Sequence, residues 1–339
     1  MRTFTPEKGV VRGMSERELL FHQALNEALR EELRRDPTLF MIGEDIGVPG
    51  GMFRVSQGLL AEFGPKRIVD APISEAAIAG AAVGGAMAGC RVVAEIMYSD
   101  WITIAMDQIV NQAAKMRFMT GGQASVPIVV RAPTGGGIGM GPQHMQSLEA
   151  WFAHIPGLKV VMPSNPHDAK GLLKAAIRDD NPVVFLEHKA LYYRKGPVPE
   201  GEYTVPLGKA NVARRGTDVT VVATSFMVHY ALGAADELAA EGISVEVVDP
   251  RTLKPLDLAT ILDSVRRTAR LVVVNEGHRT GGWAAEVASA VMENAFYDLD
   301  APIVRVAAAD APIGYAEPLE FEVLPTQPKV VAGIRQVLA

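Results

Sequence analysis

A carboxylate at Glu75, an imidazole at His144 and an indole at Trp101 are the side chains of this sequence best placed to do chemistry. A carboxylate can hold or pass a proton, histidine titrates in the physiological range, and a flat indole can lie against a heterocycle. Glu75 closes the stretch Asp70-Ala71-Pro72-Ile73-Ser74-Glu75, where the apolar strand Arg67 to Asp70 gives way to a helix of small residues running to Gly89. Pro72 discourages helix before it, and Ser74 is placed to cap the run. An acid at that corner faces a cleft rather than a core, although the macrodipole also favours acids that merely decorate a first turn. His144 lies in Gly141-Pro142-Gln143-His144-Met145-Gln146-Ser147, after a glycine-rich run. Lone histidines are more often structural, but one between a glycine loop and a helix is poorly placed for a core. Trp101 heads a helix expected over Asp100 to Met119, whose Ile102, Ala105, Met106, Ile109, Ala113 and Met116 read as a packing stripe. For Trp101 itself, packing and function are equally open.

The glycine run Thr134 to Gly141 fits G-x-G-x-x-G in no register, and the chain has no Walker-type lysine loop, so a self-contained nucleotide site is disfavoured. The run reads instead as a tightly turned backbone leading to His144. Gly80 and Gly84, then Gly85 and Gly89, recur at a spacing of four, which lets another backbone approach closely within the chain or from a second subunit.

The elements that must hold these groups alternate. Ser15 and Glu18 form a capping-box pattern ahead of an amphipathic helix carrying Leu19, Ala24, Leu25, Ala28 and Leu29. Short apolar strands are expected at Phe40 to Gly43, Arg67 to Val69, Arg91 to Tyr98, Pro127 to Arg131, Leu158 to Met162 and Pro182 to Glu187, with helical patterns between several of them. Strand and helix alternating in this way give an α/β fold with mainly parallel sheets flanked by helices. Such sheets bind ligands beyond the carboxyl ends of their strands, where Glu75 and Trp101 fall. Glycine and proline then punctuate a polar linker, residues 191–215. A second alternating set follows, from the strand Asp218 to Thr224 through the helix Val228 to Glu241, the strand Val245 to Asp249, the helix Asp257 to Thr268, the strand Leu271 to Asn275, the helix Trp283 to Asn294 and the strand Ile303 to Val306. The expected organisation is an arm over 1–14, a first domain over 15–190 and a smaller domain of the same class over 216–339.

A length of 339 residues suits two domains, each with its own core. No apolar run approaches the roughly 20 residues of a spanning helix, and Met1 to Gly13 lacks a secretory stretch, so no membrane partner and a cytoplasmic location are expected. A lone cysteine, Cys90 in an apolar turn, reads as packing and suits a reducing compartment. The net charge of −6 and the lack of a dense basic block argue against nucleic acid.

With acid, loop and histidine in place, the chain resembles the beta subunit of the thiamine diphosphate-dependent decarboxylating component of 2-oxo acid dehydrogenase complexes. The resemblance runs from about Ser15 to the end. Gly43-Glu44-Asp45, Asp70 to Glu75, Asp107 to Asn111, Gln143-His144, Pro156 to Val161 and Ala176 to Pro182 carry it in order. It implies a transketolase-like pyrimidine-binding domain followed by a transketolase C-terminal domain. It further implies that Glu75 hydrogen-bonds a pyrimidine nitrogen of the cofactor, and so promotes loss of the thiazolium proton, with burial expected to raise the pKa of its carboxyl. By the same resemblance Trp101 stands where relatives place Phe or Tyr against the aminopyrimidine, Ile73 and Met97 line the pocket, Glu44 is an acid near the cofactor, and His144 assists acyl transfer to a lipoyl group. Ile128, Ala176, Ile177, Asp179 and Asn181 resemble a structural potassium site built largely from backbone carbonyls. The Gly-Asp-Gly motif that usually holds diphosphate through magnesium is absent from this sequence. The resemblance therefore implies an alpha subunit that brings the magnesium half of the site, in a heterotetramer of two alpha and two beta chains, and a lipoyl-bearing acyltransferase partner. Alternatives are an acetoin-cleaving relative and a non-catalytic scaffold chain; the presence of Glu75, His144 and an aromatic at Trp101 argues against the scaffold.

Overall fold

The computed structural model describes residues 16–339, so the arm over 1–14 and Ser15 lie outside it. Six short apolar runs pair in parallel, because helices cover both faces and leave each strand no polar side. They are β2 (Phe40–Gly43), β3 (Ile68–Asp70), β4 (Val92–Glu95), β5 (Ile128–Thr134), β6 (Lys159–Val161) and β7 (Val183–His188), and β1 (Glu16–Leu20) precedes them in the chain. Their order is β6-β7-β5-β4-β2-β3. The helix Glu75–Met87 packs on β4 and buries Ile78, Ala79, Ala82, Val83 and Ala86 in the main core. The helices Phe21–Arg35 and Pro166–Arg178 close the other face around Phe21, Leu25, Leu29, Leu172 and Leu173.

Three sequence expectations change here. Glu18 belongs to β1 rather than to a capped helix, since β1 pairs antiparallel with β8 (Lys195–Pro199), Glu18 opposite Pro197. The helix starts at Phe21, where Gln23 Oε1 accepts the Leu20 N–H at 2.9 Å, so a long-range pairing overrides the local pattern. Residues 191–215 likewise hold two strands, β8 and β9 (Asn211–Arg214), and bury Val198 and Val205; the prolines of β8 are tolerated because it is an edge strand. The stretch expected as one helix over Asp100 to Met119 is instead a 3₁₀ turn at Ser99–Ala105, a π-helical stretch at Asp107–Ala113 and an α-helix at Ala114–Met119.

The second sheet has the order β14-β13-β10-β11-β9, with β10 (Val219–Ala223), β11 (Val245–Asp249), β13 (Leu271–His278) and β14 (Val304–Ala308) parallel and β9 antiparallel at the edge. It covers a separate core that includes Val221, Val247, Val272 and Ile334. The two sheets are tied together by β12 (Thr252–Lys254), which leaves the second unit and pairs antiparallel with β6 of the first. Among the described residues no helix is long and apolar enough to cross a membrane.

Candidate functional site

Parallel strands end on one edge, and the residues singled out for chemistry lie along it. Glu44 follows β2, Glu75 opens the helix after β3, Met97 and Trp101 follow β4, and His144 ends the loop after β5. The helix Glu75–Met87 also packs against the Ser99–Ala105 turn, which brings the Glu75 and Trp101 elements together. The five residues of the expected potassium site lie at the opposite, amino-terminal end of the sheet: Ile128 starts β5, and the others end the helix Pro166–Arg178 or lead into β7.

The Glu75 corner is open. Glu75 is 8% exposed, and among the described residues its carboxylate has no hydrogen-bond or ion-pair partner. Ser74 leads into the helix but makes no side-chain cap, leaving Glu75 itself as the acid of the first turn. Ile73 is 72% exposed and Met97 is half-buried. Burial pushes the half-buried Glu44 carboxyl above the usual range, and Asp45, Glu75 and Asp70 push it further, with no cation among the described residues opposing them. The corner is thus an acidic, partly apolar edge that nothing else among the described residues neutralises.

The His144 side is crowded. The rings of Tyr98, Trp101 and His144 meet edge to face, with centroids 5.1 Å apart for Tyr98–Trp101, 5.2 Å for Tyr98–His144 and 5.1 Å for Trp101–His144. His144 Nδ1 is buried without a hydrogen-bond partner among the described residues. Asp100 pins the segment after it, its Oδ1 accepting from the Gln146 N–H at 3.1 Å and Nε2 at 3.0 Å.

Three groups here escaped the sequence reading. Tyr98 is 2% exposed and carries Lys189 Nζ over its ring at 5.4 Å. That Nζ is buried without a hydrogen bond among the described residues; burial lowers its pKa to about 8, against the pull of Asp100, Glu276 and Glu320. Glu276 of the second sheet lies 2.8 Å from His188 Nε2 and accepts from Gly136 N–H at 2.7 Å and Ser147 Oγ at 2.9 Å. Burial works against its charge, but His188 and these donors bring its pKa to about 2. Inside the sheet, Arg131 is clasped by Glu187 at 2.7 Å and Glu95 at 2.5 Å, and Tyr192 donates to Glu187 at 2.7 Å. One charged residue in each of three apolar strands, β4, β5 and β7, was the available signal. For Lys189 and Glu276 the signal was position at a strand's carboxyl end.

At the other end of the sheet, Arg91 Nη1 donates to the Ile177 carbonyl at 3.1 Å and the Asp179 carbonyl at 2.9 Å. Lys159 pairs with the Asp179 side chain, and Arg117 Nη1 donates to Asn181 Oδ1 at 2.8 Å. Carbonyls in a helix's last turn lack intrahelical partners, and here those of Ile177 and Asp179 are met by the Arg91 guanidinium.

Two mainly parallel sheets are thus joined, with an acid and an aromatic–histidine cluster on the carboxyl edge of the first. Sequence models of the transketolase pyrimidine-binding domain and C-terminal domain match residues 17–195 and 208–330. The 2-oxoisovalerate dehydrogenase beta subunit of Bacillus subtilis is 46% identical over 316 residues, covering 93% of this chain and 97% of that protein. The beta subunit of acetoin:2,6-dichlorophenolindophenol oxidoreductase of Cupriavidus necator is 46% identical over 332 residues, covering 95% and 98%. The pyruvate dehydrogenase E1 component beta subunit of Bacillus subtilis is 46% identical over 317 residues, covering 93% and 97%. A solved structure, the inactive beta4 tetramer of a split gene transketolase, superposes with a TM-score of 0.77 at 25% identity, covering 94% of this chain and 98% of that one. The chain belongs to the transketolase-like family of 2-oxo acid dehydrogenase beta subunits, a thiamine diphosphate-dependent family of oxidoreductases.

Proposed function

We propose that the chain is the beta subunit of a 2-oxo acid dehydrogenase of pyruvate or branched-chain type, with its domains at 15–190 and 216–339, working in the cytoplasm with an alpha subunit in a heterotetramer. The observation that carries this is Glu75: a buried carboxylate without a partner among the described residues, at the carboxyl edge of the sheet, in a chain without Gly-Asp-Gly. The edge suits the aminopyrimidine half of thiamine diphosphate. Glu75 would hold a proton at a ring nitrogen, Trp101 would lie against the ring, and Ile73, Met97 and Glu44 would border it. Bound thiamine diphosphate supplies the carbon nucleophile and the electron sink for decarboxylation. Magnesium and the diphosphate would be held by the alpha subunit, and potassium by the carbonyls of Ile128, Ala176, Ile177, Asp179 and Asn181.

The net reaction balances without another redox partner. The carboxylate of the 2-oxo acid leaves as carbon dioxide, and the acyl carbon loses two electrons as the lipoyl disulfide of the acyltransferase component opens. One sulfur takes the acyl group and the other a proton, which His144 would hand over. Exposed apolar side chains beside this edge, Ile73 and Ile104, support a covering partner, since such residues in proximity mark an interaction surface. The split gene transketolase beta4 tetramer, a beta-only assembly that is inactive, supports the same half-site reading. Co-expression with the alpha chain and turnover across pyruvate, branched 2-oxo acids and acetoin tests the proposal. Reductive acylation of a lipoyl domain from one 2-oxo acid is expected; turnover of acetoin alone would transfer the chain to the acetoin-cleaving branch.

A further inference from the structure

The glycine run 134–141 remains unexplained by the cofactor reading, and the second unit reaches it at several points. Gly137 and Gly139 have φ of +91° and +71°, a backbone that turns successive N–H groups toward one side as an anion-binding concavity. Glu320, 1% exposed in the helix Glu317–Val323, fills it. Its Oε1 accepts from Gly137 N–H at 2.5 Å and Ile138 N–H at 3.2 Å, and its Oε2 from Gly139 N–H at 3.2 Å. One turn further on, Leu324 packs with Met145, the residue after His144, and with Ile313 in a small separate core. A side chain at Gly136 would meet Leu324 Cδ1 at 2.6 Å, so the loop and this helix are in direct contact. Glu276 grips both ends of the same segment through Gly136 and Ser147.

We propose that Glu320 is a positioning residue for the acyl-transfer step: its carboxylate, offered by the second unit, holds the glycine loop so that His144 stays against Tyr98 and Trp101. This rests on the role proposed for His144. Three backbone donors converge on one buried carboxylate, and charge-assisted bonds of this kind are stronger than neutral ones. The loop that carries His144 is thereby shaped by a residue more than 170 positions away in the sequence. Glutamine could still accept from Gly137 and Ile138, but its amide nitrogen would face the Gly139 N–H, so Glu320→Gln should fall between the native residue and alanine.

The test uses the assembled alpha and beta chains, with decarboxylation read by an artificial electron acceptor and acyl transfer read on a lipoyl domain. Glu320→Ala should slow acyl transfer about tenfold while decarboxylation stays within about twofold, with Glu320→Gln intermediate. In a His144→Ala background, Glu320→Ala should add less than about twofold, because the two act as one unit. Hydrogen exchange at the 137–144 amides should quicken in Glu320→Ala while the helix Glu75–Met87 is unchanged. Equal slowing of both half-reactions, multiplying effects with His144→Ala, or unchanged exchange at 137–144 would overturn the proposal. Failure of the underlying reading looks different: His144→Ala alone would then leave acyl transfer intact.

Discussion

The two halves of the carboxyl edge are built in opposite ways. Around Glu75 the described residues supply acids, an exposed Ile73 and no counterion; around His144 they supply an aromatic cluster, a pinned glycine loop and carboxylates from the second unit. One is an open edge that the proposed function assigns to a partner chain, and the other is closed by the chain's own second unit. The contrast teaches where function and stability part: an unpartnered Glu75 contributes little to the fold, whereas Glu276 and Glu320 hold it together. Substitutions at the two places should therefore fail in different measurements.

The largest effect is expected at Glu75. Glu75→Ala in the assembled enzyme should cut decarboxylation by about 10³-fold or more while melting temperature and assembly stay unchanged. A large loss of stability in that variant would break the contrast. His144→Ala should lower acyl transfer by about 10²-fold with decarboxylation nearly intact, measured on the same two half-reactions.

Stability should respond on the closed side. Glu276→Gln removes the charge facing His188 and should cost about 3 kcal/mol in urea unfolding at pH 7. The Glu276 pKa is depressed to about 2 from 4.5, so its contribution is present above pH 4.5 and lost as pH falls toward 2. The native chain should lose stability across that window and Glu276→Gln should lose less. Lys189 has the opposite sign. Its pKa falls from 10.5 to about 8, so its cost is fully present below pH 8 and fades as pH rises to 10.5. Lys189→Met should stabilise the chain by about 2 kcal/mol at pH 7, and the gain should vanish by pH 10.5. The smallest effect is at the far end of the sheet: replacing potassium by sodium at constant ionic strength should lower the melting temperature by about 3 °C.

Much of the scaffold was legible because buried parallel strands are short apolar runs. Phe40–Gly43 and Val245–Asp249 match the sequence reading at both ends. What escaped depends on distant partners. Glu18 carries a capping signal but becomes a strand because Lys195–Pro199 lies beside it, and the linker's valines are buried only once that strand forms. The Asp100 to Met119 stripe has helical spacing throughout, yet the hydrogen-bond pattern shifts twice along it, which periodicity does not register. At the site, Glu75 was readable from its local corner. The aromatic contacts of His144 and the grip of Glu276 and Glu320 on its loop were not, since residues from three strands and two units meet there. The helix Glu75–Met87 makes the same point: of its paired glycines Gly85 is pressed against Phe40, while Gly84 faces open space.

The central claim is that this chain is half of an active site. Thiamine diphosphate binding by calorimetry and decarboxylation of a 2-oxo acid should be measured for the beta chain alone, the alpha chain alone and the two reconstituted together. Tight binding and turnover are predicted only for the reconstituted pair, and cofactor-dependent turnover by the beta chain alone would contradict the account.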